Sequence, residues 1–184
     1  MNSRLKNLLE EYAGLERGVQ ELVSAQCGPV CGLCTVACCC RADICEEALE
    51  SPFLRLLHKQ DTLDSDRYGF LTETGCALPA GRPPICYEFF CEELLNSLPD
   101  EKCRELLKIL GRLPTHAGQN ALGDAHLVEI MQKAELEHLA FQRLEKQLQE
   151  SFQCLEILRR FFNKETLPED AGRVLNRITL NELD

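Results

Sequence analysis

No run of lysines and arginines occurs anywhere in this chain, and acidic residues outnumber basic ones 30 to 20, for a formal net charge of −10 at pH 7. Nucleic-acid binding usually rests on a basic patch that displaces counterions, so this balance argues against that class. An anionic membrane surface is disfavoured for the same reason. Long apolar runs are missing as well. The opening residues, from Met1 to Tyr12, carry charges throughout and hold no apolar signal-peptide core, and no segment is long enough to cross a bilayer. Without an export signal the expected location is the cytoplasm, where thiols stay reduced. Strand signals are nearly absent, because β-branched residues are scattered rather than alternating. A Gly-rich phosphate loop, a Gly-x-Ser-x-Gly elbow, a fixed-period repeat and a low-complexity tract are all missing.

Cysteine, by contrast, is abundant: there are 12. Seven fall in one stretch, as Cys27, Cys31, Cys34, Cys38, Cys39, Cys40 and Cys45. A second group is Cys76, Cys86 and Cys91, with Gly81, Arg82, Pro83 and Pro84 between the first two. In a reducing compartment such crowding reads as metal-binding or redox-active. Thiolate is the preferred ligand of zinc and of iron–sulfur clusters. Cys31-x-x-Cys34 has a usual metal-knuckle spacing, and Gly32 eases its turn. The pairs Cys27/Cys31 and Cys34/Cys38 would each share a face if helical, whereas Cys38, Cys39 and Cys40 cannot all point one way. The candidate ligands are therefore Cys27, Cys31, Cys34, Cys38, Cys39, Cys76, Cys86 and Cys91, with the parts played by Cys40 and Cys45 left open. Four thiolates suit one zinc or one [4Fe–4S] centre, and seven or eight suit two centres. Arg82 is the candidate cofactor-side cation, since a guanidinium would offset the negative charge of a four-thiolate centre. Cys103 and Cys154 stand alone in helical segments and read as packing thiols.

The two groups resemble a bacterial family of zinc- or iron-chelating cysteine-cluster proteins, the YkgJ family. Its signature is a CxxCxxCC-type cluster followed by Cys-x5-Arg-Pro-x2-Cys. The second element is complete here, from Cys76 through Arg82-Pro83 to Cys86. The first departs by one extra residue, Cys31-x2-Cys34-x3-Cys38-Cys39, which leaves open which of Cys38, Cys39 and Cys40 match. The likeness spans about residues 27 to 91 and implies metal or cluster binding. Flagellin lysine methylases carry a similar cluster, which keeps an enzyme reading alive.

The expected fold is mainly α. A cysteine-rich loop-and-helix region framed by helices, 1–111, precedes a helical C-terminal region, 112–184, and the two are able to share one core. Helical periodicity predicts a first helix over residues 3–24 capped by Ser3 and broken at Gly28-Pro29, and short turns over 44–59 with Pro52 opening the second. It predicts helices over 88–97 and, capped by Asp100, over 100–110 with Gly111 as the stop. A loop is expected over 115–123, then a long helix over 124–162 capped by Asp124, and a last one over 169–177. Asp61 to Thr74 is expected to be loop. Glu135-x-x-His138 has the spacing of a di-iron carboxylate ligand pair. Its only companion, His126-x-x-Glu129, is reversed and lies on the same expected helix, so the two cannot close around one site.

Three functions follow. The first is a cytoplasmic metal- or iron–sulfur-cluster-binding protein for electron transfer or metal handling. The second is a cluster-dependent enzyme, methylase-like or redox. The third is a zinc-stabilised interaction module with a protein partner docked on the helical C-terminal half. No nucleic-acid and no membrane partner is expected.

Overall fold

A computed structural model describes residues 2–31, 42–58, 70–72, 75–76 and 78–179. Among them the chain forms eight α-helices and one antiparallel pair of two-residue strands. The mainly α expectation is met, and strands are as short as the sequence implied. The cysteine-rich loop over 32–41 lies outside the described residues.

Helix α1 (Ser3–Cys31) buries Leu5, Leu8, Leu9, Tyr12, Leu15, Val19, Leu22 and Cys27 along one stripe. Asn2, not Ser3, caps it: its Oδ1 accepts from the Leu5 N–H at 2.7 Å. The helix also runs through Gly28-Pro29 instead of breaking there. Pro29 lacks one N–H, but both residues are exposed, so water can satisfy the carbonyl left open one turn back. Helices α2 (Ala42–Glu50) and α3 (Pro52–His58) follow as expected, with Pro52 opening α3. Strands β1 (Leu71–Thr72) and β2 (Gly75–Cys76) then pair in register, Leu71 with Cys76.

The single helix expected over 88–97 is two. They are α4 (Ile85–Glu88) and α5 (Glu92–Ser97), separated where Phe89 is extended and Cys91 begins the next helix. Helix α6 (Glu101–Gly118) is capped by Asp100, whose side chain accepts from the Cys103 N–H at 2.7 Å. It does not stop at Gly111. A Cβ there would lie 2.3 Å from the Tyr87 carbonyl oxygen and 3.0 Å from the Phe90 ring. This glycine lets α6 press against the α4 backbone, and its use is close approach rather than chain reversal. Pro114 is also inside α6. Around it, three neighbours donate to successive carbonyls: Ser151 to Leu113 at 3.4 Å, Tyr12 to Pro114 at 3.1 Å and His126 to Thr115 at 3.0 Å.

The expected long helix begins late. Residues 124–140 form two 3-10 turns, Leu127–Glu129 and Lys133–Glu137, and α7 spans only Phe141–Phe162. The turns bury Leu127, Ile130, Leu136 and Leu139, while Met131, Ala134 and His138 are exposed. The segment is fastened to the preceding turn, since the Ala140 N–H donates to Ala121 at 2.8 Å and the Ala121 N–H donates to Ala125 at 2.8 Å. A continuous helix would forfeit both bonds. Helix α8 (Ala171–Thr179) is the last described element and packs on α6 and α7, with Ala171, Val174 and Ile178 buried. Helices α1, α6 and α7 pack against one another. The buried residues form one hydrophobic cluster from Leu5 to Ile178, and residue 112 falls inside α6.

Candidate functional site

The first cysteine group begins on α1. Cys27 is buried and Cys31 exposed, one turn apart on one helical face. Cys34, Cys38, Cys39 and Cys40 lie outside the described residues. Cys45 is buried on α2.

The second group surrounds a buried turn. Cys76 ends β2, Cys86 sits in α4 and Cys91 precedes α5, all three half-buried. Between them Leu78, Ala80, Gly81 and Pro83 are buried. Gly81 has a φ of +80°, and a Cβ on it would approach the Leu54 carbonyl oxygen to 2.8 Å and His58 Cδ2 to 3.0 Å. The turn therefore requires glycine twice, for its left-handed backbone and for its seat against α3. Arg82 folds back on its own loop: Nε donates to Leu78 O at 3.0 Å and Nη2 to Cys76 O at 3.2 Å. The guanidinium ties the strand pair to the turn, a use that the sequence reading of a cofactor-side cation did not contain.

What fastens this turn to α1 is a set of polar side chains that the sequence reading passed over. Glu16 is fully buried, and its Oε2 accepts from the Gly81 N–H at 2.5 Å. One turn further along α1, Gln20 Nε2 donates to the Tyr87 hydroxyl at 2.9 Å and to Pro79 O at 3.4 Å. Glu16 Oε1 has no hydrogen-bond partner among the described residues. Burial pushes the Glu16 carboxyl up to about 7, although the Gly81 N–H, the Tyr87 hydroxyl and the Arg82 guanidinium all favour its charged form. Burial likewise raises Tyr12 and Tyr87, and the Glu16 charge adds to both. The signal in the sequence was a carboxylate on the apolar stripe, between Tyr12 and Val19, where a charge has no solvent to face.

Through this clasp the turn between Cys76 and Cys86 is attached to the helix that carries Cys27 and Cys31. Gln20, which holds Tyr87 next to Cys86, is seven residues before Cys27. At helical rise this is about 10 Å along the axis. Among the described residues no three His, Cys, Asp or Glu side chains form a group able to hold a metal ion. A four-thiolate centre would therefore need cysteines of 32–41, which lie outside the described residues.

The remaining candidates have structural uses. Cys154 is fully buried, and burial pushes its thiol up to about 12, so it is a packing residue. Cys103 is half-buried at the start of α6, with its thiol raised by burial and by Asp100. His58 is buried, and its Nε2 donates to Ala48 O at 2.8 Å, joining α3 to α2. His126 and Glu129 form a reciprocal capping box on the first 3-10 turn. This accounts for their spacing, while His138 faces solvent. On the C-terminal half, the large exposed apolar side chains among the described residues are Met131 and Phe152, and Phe152 leans towards Gly14 of α1.

No helix among the described residues is long and apolar enough to cross a membrane. No family model, curated protein or solved structure matches the chain.

Proposed function

We propose that this protein binds a metal ion or an iron–sulfur cluster through thiolates of its two cysteine groups, for electron transfer or metal handling in the cytoplasm. The ligands are drawn from Cys27, Cys31, Cys34, Cys38, Cys39, Cys76, Cys86 and Cys91. The observation that carries the reading is that thiols of both groups are tied to α1: Cys27 and Cys31 lie on its last turns, and Glu16 and Gln20 clamp the turn between Cys76 and Cys86. Two sequence-distant thiol groups held on one rigid element suit a shared centre, because ligands on a packed helix lose little further entropy when the metal binds. The resemblance to the YkgJ family supports the same chemistry. Zinc would serve structurally or as cargo; an iron–sulfur cluster would carry electrons.

The test is anaerobic purification of the full chain, followed by metal analysis and a visible spectrum. Stoichiometric iron and sulfide with broad absorbance near about 400 nm identify the cluster. A colourless protein with stoichiometric zinc identifies the other centre. Preparations free of both metals, whose thiols titrate fully with a thiol reagent, would refute the reading.

A further inference from the structure

The turn between Cys76 and Cys86 buries Leu78, Ala80 and Pro83, yet its described side-chain ties to α1 come from only two residues, Glu16 and Gln20. The stronger tie ends on a buried carboxylate, one oxygen of which has no hydrogen-bond partner placed on it among the described residues, although the Tyr87 hydroxyl and Arg82 lie near enough to favour its charge. As a neutral acid, Glu16 can accept from Gly81 on one oxygen and carry its proton on the other, at less cost than a buried charge. As an anion it leaves an incompletely solvated charge in the core, which burial makes expensive. The cheapest relief is local. The turn is the lid over this carboxylate, and lifting it admits water without separating the α1, α6 and α7 core.

We propose that Glu16 is a protonation-operated latch, closed while its carboxyl is neutral and released as it ionises, so that pH governs access to the Cys76 and Cys86 thiols on either side of the turn. The groups that face the carboxyl are Tyr12 on its own helix, Tyr87 on α4 and Arg82 in the turn, with His58 of α3 on the far side of Gly81. Arg82 favours the anion, but its Nε and Nη2 are directed to the Leu78 and Cys76 carbonyls. Burial outweighs it and moves the carboxyl from 4.5 to about 7. Glu16 precedes the nearest cysteine, Cys27, by eleven residues (27 − 16), and the groups that bond or charge-couple to it are not thiols.

Its reporter is the Gly81 amide, which makes the bond in question. Linkage between a closed state titrating near 7 and an open state titrating near 4.5 sets the size of the effect. Amide exchange protection at Gly81, corrected for intrinsic rate, should fall about 20-fold between about pH 5.5 and 7.5 in the full chain. In Glu16→Gln it should stay flat over the same interval. Amides of α7 near Leu148 should remain better protected than Gly81 at both pH values. Protection at Gly81 that does not change with pH overturns the latch, as does an equal fall in Glu16→Gln. So does protection equal to that of α7, because the turn would then open only with global unfolding. Should Glu16→Gln not fold, the carbon-13 titration of the Glu16 carboxyl in the unaltered chain decides. A midpoint near 7 that tracks the loss of protection supports the latch, and a midpoint near 4.5 ends it.

Discussion

His126 uses both ring nitrogens, and the partners fix its protonation. Nε2 lies 3.0 Å from the Thr115 carbonyl, which can only accept, and Nδ1 lies 3.2 Å from the Val128 N–H, which can only donate. The ring must therefore be neutral, with its hydrogen on Nε2. Burial holds its pKa below the ordinary 6.5, against opposing pulls from the Thr115 carbonyl and Glu129. A depressed histidine binds its proton more readily in the unfolded chain. Its contribution is thus fully present above 6.5 and is lost as pH falls below that value towards the folded pKa. His116 is depressed by burial in the same direction, and Glu16, raised, acts in the opposite one between 4.5 and about 7. The comparison must therefore be between the natural chain and His126→Ala. The difference in their urea midpoints should be largest above pH 7 and shrink by pH 5. A difference that does not vary with pH would show that the ring only fills space.

At the scale of elements, the α4–α6 contact depends on a missing side chain. Intrinsic helix propensity favours alanine over glycine by about 1 kcal/mol. At Gly111 the sign should reverse, because the Cβ would stand 2.3 Å from a backbone oxygen of α4. Neither helix can yield easily. The Thr115 hydroxyl donates to Glu88 across the same contact, and Tyr87 is held from the other side by Gln20. Gly111→Ala should lose on the order of 2 kcal/mol in equilibrium unfolding, in the range for overpacked interiors. A variant as stable as the natural chain would mean that the two helices part freely. The disturbance should also reach Cys86, because Tyr87 is its neighbour in α4.

For the whole molecule, the question is which thiols act together. Replacing Cys154, buried in α7 among Leu155 and Leu158, should leave metal content unchanged and cost packing on the order of 1 kcal/mol. Replacing Cys103 should likewise leave metal content unchanged. Replacing Cys34 or Cys86 should lower metal content and loosen the region around the change, since metal binding is coupled to folding. Metal stoichiometry of the four single variants, purified without air, is the measurement. Equal loss in all four, or loss only at Cys103 and Cys154, would place the centre elsewhere.

The sequence by itself determined the helical class, the buried stripe of α1 from Leu5 to Leu22, the Pro52 start of α3 and the Asp100 cap. Each is set by neighbours within a turn or two, through periodicity, a fixed proline φ or a side chain reaching its own backbone. Tertiary structure decided the rest. Whether Gly111 ends a helix or admits another backbone depends on α4, which local sequence does not contain. Whether 124–140 continues α7 depends on the carbonyl of Ala121 and on the seats that bury Leu127 and Leu136. Glu16 shows the division most clearly. The sequence placed a carboxylate on an apolar face, but only the folded chain supplied the Gly81 amide as its partner and excluded water from its other oxygen. Burial and long-range partners, rather than residue type, set the chemistry of such a group.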